Sequence, residues 1–222
     1  MLLFRCLKLE SVNLFKNITK IISTLDPISN LWEDNTYLNL DWFRLSELSE
    51  LLKKSRMFKS VEKVVVIDSL VVSKNKFLEA YKISHTSGKI QWNDAKNGTI
   101  YENEMGNKRI LSEMKDSLMQ LYTQEKLLDG WGEKNAIESL NDSCNVNFPF
   151  LMGDGTTLYY ASDGEGTLGG YDIFVTRYDS EDNSYLRPSN IGMPFNSSAN
   201  DYLDAIDEFN NMGRFVSDRS HP

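Results

Sequence analysis

"ASDGEGTLGGYDIFVTRYD", Ala161–Asp179, is the stretch on which the fold turns. Gly164, Gly166 and Gly169 spell G-x-G-x-x-G, the spacing of a dinucleotide-binding loop. Such a loop follows a strand and opens a helix, because the helix N-terminus holds the pyrophosphate. Here "YDIFVTRY" (Tyr171–Tyr178) follows the glycines, and it alternates like a strand. A kinase glycine-rich loop does join two strands, but no V-A-I-K, H-R-D or D-F-G comes after it. No nucleotide or other cofactor is therefore expected. The glycines are expected to allow a tight path between two strands, with Asp163 accepting hydrogen bonds from loop amides.

Working outward, Phe148–Met152 and Thr156–Ser162 flank Gly153-Asp154-Gly155, a hairpin turn whose glycines supply positive φ. Leu158 and Tyr160 share one face of the second strand, Tyr159 and Ala161 the other. Asp179–Asn183 is a polar turn, and Ser184–Arg187 suits a short fourth strand. The four strands read as one antiparallel meander.

The pattern then recurs. A shift of 55 residues carries Ser162-Asp163 onto Ser217-Asp218, Tyr160 onto Phe215, Leu151 onto Ile206, Asn141 onto Asn196 and Asn145 onto Asn200. A shift of 54 carries Trp131 onto Tyr185 and Ile137 onto Ile191. A fainter earlier copy places Thr99–Glu104 ("TIYENE") beside "LYYASD" and Leu118–Trp131 beside the third and fourth strands. Leu111, Met114, Leu118 and Leu121 step like a helix, but the repeat register makes Leu118–Thr123 a strand. Four strands per unit at such a period are the signature of a β-propeller blade.

At this point the residues resemble a family. "FPFLMGDGTTLYYASDGEGTLGGYDIFVTR", with "NIGMPFNSSANDYLDAI" and "GRFVSDRS", looks like the TolB-type, WD-like β-propeller repeat of Gram-negative cell-envelope proteins. Pro149, Asp154, Gly155, Leu158, Tyr159, Ser162, Asp163, Gly169, Gly170, Asp172, Ile173 and Phe174 fit its pattern. Ile191, Gly192, Pro194, Asn196 and Asp201 fit its inter-blade connector, and Ser217 and Asp218 repeat the "SD" pair. Tyr160 replaces the usual Phe, and Gly164 replaces the Arg usual after "SD"; Arg219 holds that place in the second copy. The match covers about 145–219. It implies a non-enzymatic binding or scaffold role at the cell envelope, in the periplasm or at the outer membrane, with a protein or an envelope glycan as partner.

The expected organisation is mainly β: an irregular and helical region over 1–60, then a partial propeller of four-stranded antiparallel blades over 61–222. The latter divides into a diffuse blade at about 61–140, a full blade at about 145–187 and a half blade at about 200–222. Asp41–Phe58 is the best helix, with Leu45, Leu48 and Leu52 on one face, and Val61–Val72 reads as a strand. Only two strands are found for the last blade, Leu203–Glu208 and Met212–Ser217. The expectation is thus a truncated form of a longer propeller, with an open edge inviting self-association.

Composition narrows the function classes. The chain has 222 residues and a net charge of -8, and from Leu140 to Pro222 only 4 Lys and Arg face 13 Asp and Glu. That acidity argues against nucleic acid, whose phosphates require Lys and Arg. No run approaches the ~20 apolar residues of a membrane span. Lys8, Glu10, Lys16 and Lys20 interrupt any signal-peptide core before Asn30, and Arg5 spoils a lipoprotein reading of "LFRC". Cys6 and Cys144 could pair or stay free. The two histidines, His85 and His221, give little for nucleophilic catalysis or zinc. A calcium site from Asp163, Glu165 and Asp172 is conceivable, but turn-capping carboxylates are the favoured reading. The rival function is a glycoside hydrolase using two of Asp163, Asp172, Asp207 and Asp218. Since Asp163 and Asp218 occupy one position in two copies, a structural role is preferred for both.

Overall fold

A computed structural model of the chain describes residues 2–9, 64–73, 76–81, 83–208, 210 and 212–219. The helix expected at Asp41–Phe58 and His221 lie outside the described residues. In chain order the elements are β1 (Leu2–Leu9), β2 (Val64–Val72), the single helical turn α1 (Phe77–Ala80), β3 (Lys89–Asn93), β4 (Gly98–Glu102), β5 (Lys108–Lys115), β6 (Leu118–Leu127), β7 (Gly130–Trp131) and β8 (Asn135–Ala136). They continue with β9 (Val146–Leu151), β10 (Thr157–Ser162), β11 (Asp172–Asp179), β12 (Ser184–Tyr185), β13 (Ser189–Asn190), β14 (Asp201–Asp207) and β15 (Met212–Ser217). The fold is mainly β, in three antiparallel sheets.

The first sheet runs β3-β4-β5-β6-β7, with β8 also on β6; the second runs β9-β10-β11-β12, with β13 also on β11. The two are built alike. β7 and β8 pair with β6 at Lys126↔Trp131 and Tyr122↔Ala136, as β12 and β13 pair with β11 at Tyr178↔Tyr185 and Phe174↔Asn190. Leu118–Leu127 is a strand, so the repeat register prevails over the helical stepping of its leucines. The reason lies in the preceding turn. Lys115 pairs with Leu118 across Asp116 and Ser117, at φ 51° and 70°, and two consecutive positive φ values make a hairpin turn and end any helix. One assignment changes. Gly98–Glu102 does not occupy the second-strand place expected for Thr99–Glu104. It pairs with β5, and β5 with β6, which gives β4 the place of β9 and β5 that of β10.

The third sheet corrects the expected organisation. Its order is β14-β15-β1-β2, so both ends of the chain build it. β1 lies antiparallel to β15 from Leu3↔Ser217 to Lys8↔Met212, and β2 covers the far side of β1. The expected open edge on β15 is therefore occupied. Residues 2–9 are a strand rather than irregular structure, and β2 belongs with the C-terminal strands rather than with a blade over 61–140. The error has a physical source: pairing across some two hundred residues leaves no turn signal beside either strand.

The second sheet packs on both of the others. Tyr101 of the first meets Phe150 of the second at 5.2 Å between ring centroids, and Tyr171 beside the second meets Tyr202 of the third at 6.0 Å. Ile173 and Phe215 form a small satellite core between the second and third sheets, backed by Phe195. Contact between third and first is made by α1. Phe77 lies 5.4 Å from Trp92 and 6.4 Å from Tyr202, and the Tyr81 hydroxyl donates to the Arg214 carbonyl. At the centre, Phe148 has φ 53° and 6% exposure. Its left-handed backbone accompanies a break in the β9–β10 register and turns its ring onto Phe77, Trp92 and Tyr202.

Candidate functional site

The glycine loop joins β10 to β11 and works against the connector that enters β14. A Cβ on Gly169 would lie 2.5 Å from the Ser198 backbone, and one on Gly170 would lie 2.0 Å from Asn200 Oδ1. Gly166 is the glycine needed for conformation, with φ +89° and open space around it. At Gly164 the missing side chain makes room for Cys144, whose Sγ would lie 2.8 Å from a Cβ there. The glycines thus serve packing of backbone on backbone. In the β9–β10 turn, Gly155 alone supplies positive φ, at +70°, while Gly153 does not.

The "SD" pairs perform one task twice. Asp163 accepts from Asn145 N at 2.7 Å and Asn145 Nδ2 at 2.8 Å; Asp218 accepts from Asn200 N at 2.7 Å and Asn200 Nδ2 at 2.8 Å. Each asparagine then reaches the neighbouring sheet, Asn145 Oδ1 accepting from Met119 N and Asn200 Oδ1 from Tyr171 N, both at 2.9 Å. Ser162 and Ser217 cap the amides of residues 164 and 219. Asp163 therefore binds the preceding connector rather than its own loop amides, which corrects the expected partner. Asn141 and Asn196 form a second repeated clamp, each bonded to both backbone groups of one residue, Leu121 and Ile173 respectively.

The remaining acids are engaged locally. Asp154 accepts from Thr156 N, Thr157 N and Thr157 Oγ1; partial burial pushes its pKa up, but these bonds outweigh it and hold the carboxyl below its ordinary range. Asp207 accepts from Asn210 N and Nδ2. Asp172 is fully buried, and its Oδ2 accepts from Leu168 N at 2.7 Å and Asn190 Nδ2 at 2.6 Å. Its Oδ1 has no partner, and burial raises its pKa against those bonds. Among the described residues no group of three or more His, Cys, Asp or Glu is placed to hold a metal. None of their helices is long and apolar enough to cross a membrane. His85 is exposed in a short 3-10 turn.

Sequence reasoning missed a buried ion pair and a cleft. Asp201, also fully buried, meets Arg219 Nη2 at 2.6 Å and accepts from Ser197 N and Oγ. Arg219 also donates to the carbonyls of Pro194 and Phe195. The 55-residue shift would have signalled this pair, because it carries Val146 onto Asp201 and Gly164 onto Arg219: both charges are absent together in the other copy. The cleft, of about 160 Å³, is lined by Thr86, Ser87, Phe150, Gly153, Ile206 and Glu208. It opens where turns beside all three sheets converge. Nothing local in the sequence marks it, since its walls come from segments more than fifty residues apart.

Compared with family models, curated proteins and solved structures, the chain matches none.

Proposed function

We propose that the three sheets are propeller-type blades, the last completed by the N-terminal strands, and that the chain is a non-enzymatic binding or scaffold module of the cell envelope. The observation that carries this reading is the engagement of the acids. Asp163 and Asp218 hold equivalent asparagines in successive sheets, and Asp172 and Asp207 are bound to their own turns. A glycosidase needs two carboxyl groups facing each other across a substrate, whereas these act as braces. Closed propellers have about four to eight blades; the described residues supply three sheets, with Phe77 and Tyr81 packed between the first and the third. The envelope assignment follows the resemblance of 145–219.

The test is co-sedimentation of the purified chain with insoluble envelope material, run beside a broad glycan-hydrolysis screen. Saturable co-sedimentation without release of reducing ends is expected. Hydrolysis lost on substitution of Asp163, Asp172, Asp207 or Asp218 would overturn the reading in favour of an enzyme.

A further inference from the structure

We infer that the cleft between the three sheets is a subsite for a primary ammonium group on a short aliphatic stem, such as a lysine side chain of a partner. This deepens the binding reading above and rests on it. The lining combines apolar Phe150 and Ile206 with the hydroxyl residues Thr86 and Ser87 and the acid Glu208; the Thr86 hydroxyl is paired with that of Ser84 at 2.8 Å, which leaves Ser87 and Glu208 as the principal acceptors. Glu208 is the one charged group in the lining. It lies over Gly153, where a Cβ would be 3.1 Å from Glu208 Oε2, so the absence of a side chain there leaves the carboxylate room at the cleft.

The wall carrying Ser87 is fixed. Tyr101 donates its hydroxyl toward Leu151 O at 2.6 Å and Ser87 O at 3.1 Å, and Ser87 Oγ donates to Ile206 O at 3.4 Å. With its proton directed there, Ser87 Oγ keeps lone pairs for a donor in the cleft. An ammonium carries three donors and no acceptor, and it suits a site whose side-chain groups offer acceptors around one negative charge. Size agrees. The cleft, of about 160 Å³, has room for a short aliphatic stem and its nitrogen. The charge is complementary: Glu208 is the lining's charged residue, and no Lys or Arg lines the cleft.

The probe is n-butylammonium, titrated into the whole chain while the amide signals of Ser87, Gly153 and Glu208 are followed by NMR, with n-butanol and butyrate as shape-matched controls. Saturable shifts are expected with the amine, and affinity about threefold weaker in Glu208→Gln, since Glu208 is exposed and an exposed ion pair is screened by solvent. Gly153→Ala should weaken binding independently by crowding the carboxylate. No saturable shift with the amine, or equal affinity in Glu208→Gln, would overturn the proposal. Butanol or butyrate binding as well as the amine would overturn the ligand class while leaving a binding cleft. Failure of envelope co-sedimentation alongside amine binding would instead count against the envelope reading alone.

Discussion

Replacing Gly170 with alanine tests the role assigned to the glycine loop. The residue is not at positive φ, so its backbone tolerates a side chain. What forbids one is Asn200 Oδ1, 2.0 Å from the new methyl. Asn200 cannot yield freely, because it accepts from Tyr171 N and donates to Asp218. Losing a neutral hydrogen bond costs about 1 kcal/mol and one to a charged partner about 1.5–3 kcal/mol. The lower entropy of the unfolded alanine chain returns about 0.4–1 kcal/mol. The net is about 2–3 kcal/mol, a fall in Tm of roughly 4–12 °C for a chain of this size. Gly166→Ala is the control: φ +89° with nothing within 4 Å predicts a purely conformational cost of about 1–2 kcal/mol. Thermal and urea unfolding of both variants would measure this. Gly170→Ala should also be less than additive with Asp218→Ala, since both break the same link. A Gly170→Ala effect no larger than that of Gly166→Ala would refute the argument.

Asp163→Ala should cost on the order of 1–3 kcal/mol in urea unfolding, as the Asn145 amide and side chain lose their acceptor; full stability combined with loss of envelope binding would show that Asp163 serves a ligand instead. The buried acids make stability depend on pH in a definite direction. Burial holds Asp172 and, against the opposing pull of Arg219 and the Ser197 and Ser217 bonds, Asp201 above their ordinary pKa. The native state then keeps protons that the unfolded chain has released, so their combined contribution falls as pH rises from about 4 through the folded values. Asp172→Asn should flatten that decline while keeping an oxygen for Leu168 N, and an unchanged slope in pH-resolved denaturation would contradict the assignment. Asp154, held low, works the other way: its contribution is present above about 4 and is lost as pH falls below that, so Asp154→Asn should matter at pH 7 and little at pH 3.

Much of this was legible because the sequence repeats itself at short range. Phe148–Tyr185 contains its own turns: Gly155 marks the β9–β10 hairpin and Asp179–Asn183 the β11–β12 connection. Alternation in between fixes which faces are buried. The shared place of Asp163 with Asp218 pointed to a structural role for both. The partner of Asp163 was assigned wrongly because a loop full of amides lay nearer in sequence than Asn145. Two features had no local signal. The cleft draws on residues from 86 to 208, and β1 finds its place through β15, at the opposite end of the chain. In such long-range pairing the strand's own residues carry only half of the information.

The N-terminal strand completes the sheet begun by β14 and β15, and hydrogen exchange read residue by residue in the intact chain can show it. With β1 lying between β15 and β2, the amides of Leu3–Leu7 should be protected together with those of Gly213–Ser217 and lose protection with them as urea is raised. Leu3–Leu7 exchanging at the rate of an unstructured peptide, with β15 still protected, would contradict the account.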